Sequence, residues 1–385
     1  MDEHIIYKNQ DVLNTGQPVT HAIVIGIGKY DHLVGGAGNE TRLSGGLGQL
    51  SSPPISAGKF ADWLLDEFNN PQKPLATVSM LISDVAGPVT YQHAKLAAPV
   101  EVSEATIDNV KSAVRQWITY GNDSEENMTI FFFCGHGVAR GLVGLTLLLS
   151  DYGKDDLQPM EGALDFAAMF QGMAQCKASQ QVYFVDACRK VCDIAARTTD
   201  TGNPIIQDDK NRRYASPWNT AVYHSALKGE AAYGRKDLPS FFTEELIKAL
   251  NGLASNKRNA EQKWRICTAE LLTPINKGLS LLGEASSRPE ATNSIFEFHE
   301  LKNEPQALAL VYCKPKTKNK EVELRCLKNN ALYSSREPKD EDWQVFVSPG
   351  GMYDFEARVD TEKKGEGLGY FILPPYQDVE IEVVS

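Results

Sequence analysis

The sequence predicts an α/β protein, with a mostly parallel sheet flanked by helices, followed by a small all-β domain of sandwich type. Up to about residue 300, apolar β-branched runs alternate with segments of helical periodicity, which is the pattern of βαβ units around a parallel sheet. Beyond that point, short strands follow one another with no helical segment between them. We therefore predict two domains, residues 1–300 and 301–385.

Five apolar runs predict the buried strands of the first domain. Strands that are covered on both faces are nearly continuous in Val, Ile, Leu and aromatic residues, without polar alternation. The runs are His21–Gly28, Thr77–Ser83, Met128–Cys134, Gln181–Ala187 and Thr220–Ala226.

Helical periodicity fills the segments between these runs. The segment from residue 56 to 69 opens with Ser56, a residue type that caps helix N-termini, and its apolar side chains recur three and four residues apart. The segment from residue 106 to 118 shows the same pattern, with Thr106 as its predicted cap. Residues 163–173 and 240–250 are predicted to form two further helices.

The second domain is predicted from six short runs with partial alternation of apolar and polar residues. They are separated by clusters of Lys, Asn, Pro and Gly, and nothing in them indicates catalysis. We expect this domain to stabilise or regulate the first. The runs cover residues 307–313, 321–327, 343–348, 353–359, 369–374 and 378–384.

Composition limits the classes of partner and compartment. The formal net charge of −11 argues against nucleic acid as the main partner, and no apolar run is long enough to span a bilayer. The first ten residues, MDEHIIYKNQ, lack the basic and apolar regions of a signal peptide. An odd number of cysteines, seven, without a regular framework suggests thiols in a reducing compartment. We expect a cytoplasmic protein with no nucleic-acid and no membrane partner.

A glycine-rich stretch after the first strand invites a dinucleotide-binding interpretation, which fails on spacing. Gly26 and Gly28 form G-x-G, but the position of the third glycine holds Asp31. A dinucleotide site also needs a helix that opens at this turn, and here a long segment of Gly, Ser and Pro intervenes. We interpret residues 34–54 instead as a long mobile loop at the carboxyl edge of the sheet, where ligand sites of open α/β sheets lie.

Two predicted strands end in reactive residues. One ends in CGHG at residues 134–137 and the other in DACR at residues 186–189. Because adjacent parallel strands finish at the same edge, His136 and Cys188 are expected to face each other there. An imidazole can take the proton of a thiol and later return it to a leaving amine, which is the chemistry of a cysteine nucleophile.

Two other interpretations of His136 stay open beside catalysis. A histidine between two glycines at a strand end has little to pack against, so a purely structural role fits less well. A metal site is disfavoured because the spacing of the candidate ligands is not that of a common zinc site. Those candidate ligands are Cys134, His136, Cys188 and Cys192.

These residues resemble the motifs of caspase-like cysteine peptidases. FFFCGHG is similar to the histidine block of that family, and YFVDACR to the block around its nucleophile. The 52 residues between His136 and Cys188 agree with the roughly 50 typical of caspases. The first strand, and the segment from residue 221 to 250, are also similar to the caspase fold. The resemblance covers residues 20 to 280 and points to prokaryotic caspase-like and metacaspase-like proteins.

The resemblance implies a cysteine endopeptidase with a His136–Cys188 dyad. Cys188 would attack the peptide carbonyl and His136 would act as base and then acid. The backbone N–H groups of Gly137 and Cys188 would form the oxyanion hole. No third orienting side chain is evident. The partner is then a protein or peptide substrate, and the alternative is a caspase-like scaffold without activity that binds other proteins.

Departures from the caspase motif bear on specificity. Asp186 stands where caspases have Gln and Lys190 where they have Gly, and metacaspases, which cut after Arg or Lys, have Asp at the position of Asp186. A buried carboxylate is costly unless it is paired, and a substrate guanidinium or ammonium would pair it. Glu230 is a candidate for a second charge. The Asn-Asp that metacaspases show at the first helix is absent here, with Ser56 in its approximate place, so Arg and Lys are not distinguished.

The resemblance also raises calcium and self-cleavage. Some metacaspases need calcium, and Asp151, Asp155 and Asp156 lie in the corresponding region, although a calcium ion requires six to eight oxygens. We otherwise expect no cofactor. Residues 190–219 are predicted to form an exposed loop like the one that caspases cut on activation, so the chain would be a zymogen unless a regulatory protein partner or the second domain controls it. The basic candidates for the cut are Arg197, Lys210, Arg212 and Arg213.

Overall fold

A computed structural model describes residues 3–140, 144–188, 194, 197–207, 218–226, 235–255, 257–283 and 289–383. The chain divides into two compact units. The first comprises Met1–Ile247 and Ile275–Phe296, and the second Lys248–Pro274 and Glu297–Ser385. The domain boundary expected at residue 300 stays a prediction.

The strands of the described residues are numbered in chain order. They are β1 (Ile5–Lys8), β2 (Thr20–Ile27), β3 (Leu75–Ser83), β4 (Val89–Tyr91), β5 (Val100–Val102), β6 (Met128–Gly135), β7 (Gly137–Arg140), β8 (Gly144–Leu148), β9 (Ala163–Asp165), β10 (Gln180–Ala187), β11 (Asn219–His224), β12 (Lys257–Arg258), β13 (Trp264–Cys267), β14 (Glu290–Asn293), β15 (Glu297–Glu300), β16 (Ala307–Lys314), β17 (Glu323–Lys328), β18 (Ala331–Arg336), β19 (Trp343–Val347), β20 (Gly351–Val359), β21 (Glu362–Ile372) and β22 (Tyr376–Glu382).

The α-helices of the same residues are also numbered in chain order. They are α1 (Gln10–Asn14), α2 (Ser52–Asp66), α3 (Ile107–Gly121), α4 (Phe166–Gly172), α5 (Phe241–Lys248) and α6 (Leu272–Leu281). Within the part of the chain that the structure describes, no helix has the length and apolar character needed to cross a membrane.

A seven-stranded sheet forms the centre of the first unit, in the order β1-β3-β2-β6-β10-β11-β14. The five inner strands run parallel, and the two edge strands are antiparallel to their neighbours. The parallel sheet flanked by helices is confirmed, and all five apolar runs form its inner strands. The carboxyl ends of those strands therefore share one edge.

Aromatic side chains pack on both faces of this sheet. On one face, Phe60 of α2 stacks on Phe132 at 4.4 Å between ring centroids and lies edge-on to Phe184 at 5.5 Å. On the other face, Phe131 contacts Trp117 of α3 at 6.2 Å. Successive residues of a strand point to opposite faces, so adjacent phenylalanines of β6 fill two different halves of the core.

The start of α2 differs from the expectation. The helix begins at Ser52 with Ser51 at its N-cap, so Ser56 is not a cap but a buried residue one turn inside the helix. The two prolines that follow Ser52 fit the first turn, where no intrahelical N–H donor is required. The cap of α3 is confirmed, because Thr106 Oγ1 accepts a hydrogen bond from the N–H of Asn109 at 3.4 Å.

The two later helices are shorter than their patterns indicate. Residues 163–165 pair with β8 as strand β9, so α4 begins only at Phe166, with Asp165 as its cap. The helix predicted for residues 240–250 is α5 and ends at Lys248, where a π turn, Ala249–Leu253, continues the chain. In both places, pairing and turn geometry overrode a helical pattern.

The second unit contains the predicted sandwich. One sheet has the order β19-β16-β22 and the other β18-β17-β20-β21, and alternate residues of both sheets form a single apolar core. Strand β18, whose residues are mostly exposed, was not predicted from the sequence. A short 3₁₀ helix, Lys316–Lys320, also interrupts the strands. Two central residues of the core are Phe355 and Leu324, both without exposed surface.

Candidate active site

The site lies at the carboxyl ends of the neighbouring strands β6 and β10. In their parallel register, Cys134 pairs with Asp186 and Gly135 with Ala187. The residues that follow these pairs are His136 and Cys188, which therefore leave the sheet side by side. The spacing of 52 residues seen in the sequence is the register offset of the two strands, since it also separates Cys134 from Asp186.

The two glycines beside His136 make room for neighbouring groups. A Cβ atom on Gly135 would lie 2.8 Å from the hydroxyl oxygen of Tyr30. A Cβ atom on Gly137 would lie 2.5 Å from the carbonyl oxygen of Cys188. Both distances are shorter than any real Cβ contact, so only glycine allows Tyr30 and the Cys188 backbone to approach the histidine this closely.

His136 is held by a backbone carbonyl that no local sequence pattern identifies. Its Nε2 lies 2.7 Å from the carbonyl oxygen of Gly48, and its backbone N–H donates to Tyr30 Oη at 2.8 Å. A carbonyl can only accept, so the Nε2 atom carries the proton and Nδ1 is left as the basic nitrogen. Burial lowers the pKa of His136, and the hydrogen bond to Gly48 opposes this effect.

The cysteines at this edge have different surroundings. Cys188 is partly exposed, whereas Cys134 is buried. Burial, together with the adjacent Asp186, raises the pKa of the Cys134 thiol well above its usual range, and its Sγ lies 3.5 Å from Asp186 Oδ2. Cys134 is therefore a protonated thiol that donates to a carboxylate, and Cys188 is the more accessible of the two thiols.

A shared metal ion has no support among the residues described. Nowhere in these ranges do three His, Cys, Asp or Glu side chains form a group that could hold one. Cys192, which the metal interpretation requires, lies outside the described residues. Cys134, another of its proposed ligands, is engaged with Asp186.

Asp186 is buried beneath a set of hydroxyl groups. Its carboxylate accepts hydrogen bonds from Ser240 Oγ and from Thr243 Oγ1, the latter at 2.8 Å. Ser240 also caps α5 by accepting from the N–H of Thr243 at 3.0 Å, and its own N–H donates to Ser56 Oγ at 3.0 Å. Burial raises the pKa of Asp186, and the hydroxyl donors oppose that rise. The sequence interpretation missed Ser240 and Thr243, although a serine before a predicted helix is a recognisable cap.

The sequence predicts that the whole linker after Cys188 is exposed, but part of it is hydrogen-bonded to the first unit. Thr146 Oγ1 donates to the carbonyl of Thr201 at 2.8 Å, and Asn203 exchanges backbone hydrogen bonds with Ala163 and Asp165 at 2.8 and 2.9 Å. Residues 201–203 are thus hydrogen-bonded to β8 and β9, which shortens the part of the linker that is open to cleavage.

Of the proposed cleavage residues, only Arg197 lies within the described part of the chain. Arg197 is exposed and donates from Nη1 to the carbonyl of Arg42 at 3.3 Å. The remaining candidates lie outside the described residues, and so does the residue that replaces the caspase glycine. These are Lys210, Arg212, Arg213, Glu230 and Lys190.

The calcium candidates border a cleft of about 770 Å³. Asp151 Oδ1 accepts from the backbone N–H of Ile107 at 3.0 Å, and burial raises the pKa of this carboxyl. Asp155 Oδ1 accepts from the N–H of Leu157 at 2.8 Å, and Asp156 lines the same cleft. One oxygen of each of the first two carboxylates thus accepts from a backbone donor, and calcium binding stays a prediction.

Comparison with known proteins identifies the family. The family model of the caspase domain, Peptidase C14, matches residues 20–293, which is well over half of the chain. The chain therefore belongs to the caspase-domain family. The match includes both strand ends that carry His136 and Cys188.

Solved structures with a similar arrangement share little sequence with this chain. Protein GSU0716 from Geobacter sulfurreducens is 12% identical, with a TM-score of 0.43, and the match covers 72% of this chain and 94% of that one. Caspase-1 from Spodoptera frugiperda is 12% identical, with a TM-score of 0.41, and the match covers 74% and 92%. None of the curated proteins matches the chain.

Proposed function

We propose that this protein is a cysteine endopeptidase that uses His136 and Cys188 as a dyad and cleaves after Arg or Lys. The observation that carries the proposal is the position of His136 at the strand end next to Cys188, with Nε2 donating to the carbonyl of Gly48. That contact leaves Nδ1 as the proton acceptor, and it can stabilise the imidazolium that forms when the thiol is deprotonated.

The chemistry follows from these groups. Nδ1 of His136 takes the thiol proton, and the Cys188 thiolate attacks the carbonyl carbon of the scissile peptide. The oxyanion accepts hydrogen bonds from the N–H groups of Gly137 and Cys188. The intermediate then collapses to a thioester as the imidazolium protonates the leaving amine. Water, deprotonated by the same imidazole, hydrolyses the thioester and restores the thiol.

Specificity for a basic P1 side chain is supported by the surroundings of Asp186. The side chains that donate hydrogen bonds to its carboxylate within the described residues are all neutral, so a P1 cation would supply the counter-charge. These donors are Ser240, Thr243, Ser225 and Cys134. An acidic P1 side chain would instead meet a buried carboxylate and be repelled. Glu230 is the candidate for a second negative charge.

Activity and specificity can be tested together with a fluorogenic peptide panel that differs only at P1. Wild-type protein should cleave Arg or Lys peptides and leave Asp and Leu peptides intact, whereas Cys188→Ala should cleave none. Cys176→Ala, a buried cysteine away from the strand ends, is the matched control and should behave as wild type. Equal activity of wild type and Cys188→Ala would refute the enzyme, and a preference for P1 Asp would refute the specificity. Repeating the panel with a chelator and with added calcium tests the metal requirement.

Self-cleavage belongs to the same proposal. We propose that active protein cuts itself after Arg197, Lys210, Arg212 or Arg213, which releases the linker that follows the nucleophile. Wild-type protein should convert into two fragments on incubation, while Cys188→Ala stays whole, and terminal sequencing should place the new end between residues 190 and 219. A cut outside this range, or equal cutting of Cys188→Ala, would contradict the proposal.

A further inference from the structure

The loop that supplies the Gly48 carbonyl is fastened by the side chain of the next residue, Gln49. Its Oε1 accepts the backbone N–H of Tyr30 at 2.8 Å, and its Nε2 donates to the carbonyl of Tyr30 at 2.9 Å and to that of Val34 at 3.2 Å. Both ends of the amide are thus used, and one side chain joins the last part of the loop to its first part. A glutamine is long enough to reach both backbone groups of Tyr30.

These hydrogen bonds of Gln49, called the clamp below, connect two residues that both contact His136. They are Tyr30, to which Gln49 is hydrogen-bonded, and Gly48, which precedes it in the chain. The Tyr30 ring lies against the imidazole, with centroids 4.8 Å apart at 42°, and its hydroxyl accepts the His136 N–H. The Gly48 carbonyl accepts from Nε2 of the same ring at 2.7 Å. On the far side of Gln49, the N–H of Leu50 donates to the carbonyl of Gly28 at 2.8 Å. The two residues after Gly48, Gln49 and Leu50, are therefore both hydrogen-bonded to the segment from residue 28 to 34.

We propose that Gln49 is a positioning residue that fixes the Gly48 carbonyl and the Tyr30 ring against His136. It rests on the proposed dyad, because it matters only if His136 acts as the base for Cys188. Without the Gln49 side chain, Gly48 would keep the backbone hydrogen bonds of Leu47 and Leu50 on either side, at 3.0 and 2.8 Å, but would lose the side-chain connection to Tyr30 that helps to hold its carbonyl in line with Nε2. The imidazole could then rotate or change tautomer, and a charged imidazolium would lose its acceptor.

The titratable groups that face His136 define what the test should measure. The Tyr30 ring lies against His136, and burial raises the pKa of Tyr30 so that its phenol stays neutral near pH 7. Cys188 is the partner of His136 in the proposed dyad. The thiolate of Cys188 near neutral pH thus depends on the stability of the imidazolium, whereas at about pH 10 the thiol ionises without it. The rate of alkylation of Cys188 at the two pH values separates loss of the base from general damage.

Two substitutions isolate the clamp. Gln49→Met keeps the length and removes the hydrogen bonds, while Gln49→Asn keeps the amide and is too short to bridge. Ser44→Ala is the control, because it removes a hydrogen bond to Glu40 within the same loop and leaves the Gln49 contacts intact. Iodoacetamide modification of Cys188 would be followed by mass spectrometry at pH 6.5 and pH 10, beside kcat and KM on the preferred P1 peptide.

Both Gln49 variants should alkylate about tenfold more slowly than wild type at pH 6.5, as expected for a lost hydrogen bond to a charged group, and at the wild-type rate at pH 10. Their kcat should fall by a similar factor with little change in KM, and Ser44→Ala should match wild type. Unchanged alkylation at pH 6.5 in either folded variant, or an equal loss in Ser44→Ala, would overturn the role of Gln49. Activity in Cys188→Ala would refute the dyad itself, so the two failures are distinguishable.

Discussion

The strands of the central sheet are buried on both faces, whereas those of the C-terminal sandwich alternate between buried and exposed residues. All eight residues of β6 are buried, and β19 follows the pattern buried, exposed, buried, exposed, buried. Helices cover both faces of the parallel sheet, while each sheet of the sandwich is covered on one face by the other.

The two regions also differ in the relative direction of neighbouring strands. Five neighbouring strands of the central sheet are parallel, so residues far apart in sequence end at one edge and meet there. In the sandwich, most neighbouring strands are antiparallel and adjacent ends point to opposite edges. His136 and Cys188 accordingly follow neighbouring strand ends at the parallel edge, which illustrates how sheet direction brings distant residues together.

The largest effect on activity is expected from removing the side chain of either His136 or Cys188. His136→Ala and Cys188→Ala should each lower kcat/KM by about 10⁴-fold or more, and the double variant should lose little beyond that, because the two residues act as a unit. Steady-state kinetics on P1 Arg and Lys peptides measure this. His93→Ala, which removes a histidine paired with Asp66 instead, serves as control. Independent, multiplying losses would show that the two residues do not cooperate.

Neighbouring substitutions test the difference in burial directly. Phe131→Ala and Phe132→Ala point to opposite faces of β6, and each should lower the free energy of unfolding by about 3–5 kcal/mol. In the sandwich, Phe355→Ala should cost about as much, but Gln344→Ala on the exposed face of β19 no more than about 0.5 kcal/mol.

Denaturant unfolding, with each unit followed by hydrogen exchange, measures these costs. The expected difference between the two regions is wrong if one of the two β6 substitutions is tolerated as well as Gln344→Ala.

Asp186 is expected to affect both the stability of the fold and the cleavage of basic P1 peptides. Asp186→Ala leaves the hydroxyls of Ser240 and Thr243 without their buried acceptor, so the free energy of unfolding should fall by about 2–3 kcal/mol. Asp186→Asn keeps an acceptor and should lose less than half as much. Both variants should lose cleavage of basic P1 peptides. Full activity of Asp186→Asn on those peptides would assign Asp186 a structural role alone.

The last prediction is a pH dependence of stability that arises inside the parallel sheet. Burial lowers the pKa of His21 from 6.5 to about 4. Between these two pH values, His21 therefore binds a proton in the unfolded chain but not in the folded one. Stability should therefore fall as the pH drops from 7 to 5, by about 2 kcal/mol from this group. His21→Gln should flatten the dependence of the urea midpoint on pH. An unchanged slope in that variant would contradict the buried neutral histidine.

Local patterns were sufficient for much of the fold. Continuous apolar runs marked the inner strands because a strand covered on both faces has no polar side, and the alternating runs marked the sandwich. The Thr106 cap was also local, since its partner is three residues away. The start of α2 was not, because Ser51 and Ser56 are equally good caps by residue type and only the folded chain shows which one is buried.

The sequence by itself determined which strands end in His136 and Cys188, and their spacing already contained the register that places them together. Tertiary structure alone decided what surrounds them. The acceptor for His136 is a backbone carbonyl, a group that every residue has, and Gly48 lies 88 residues away. The hydroxyls on Asp186 come from residues 54 and 57 positions further along the chain. Such contacts leave no local pattern, because their residue types are common on any surface and gain a role only when the fold buries them beside a charge.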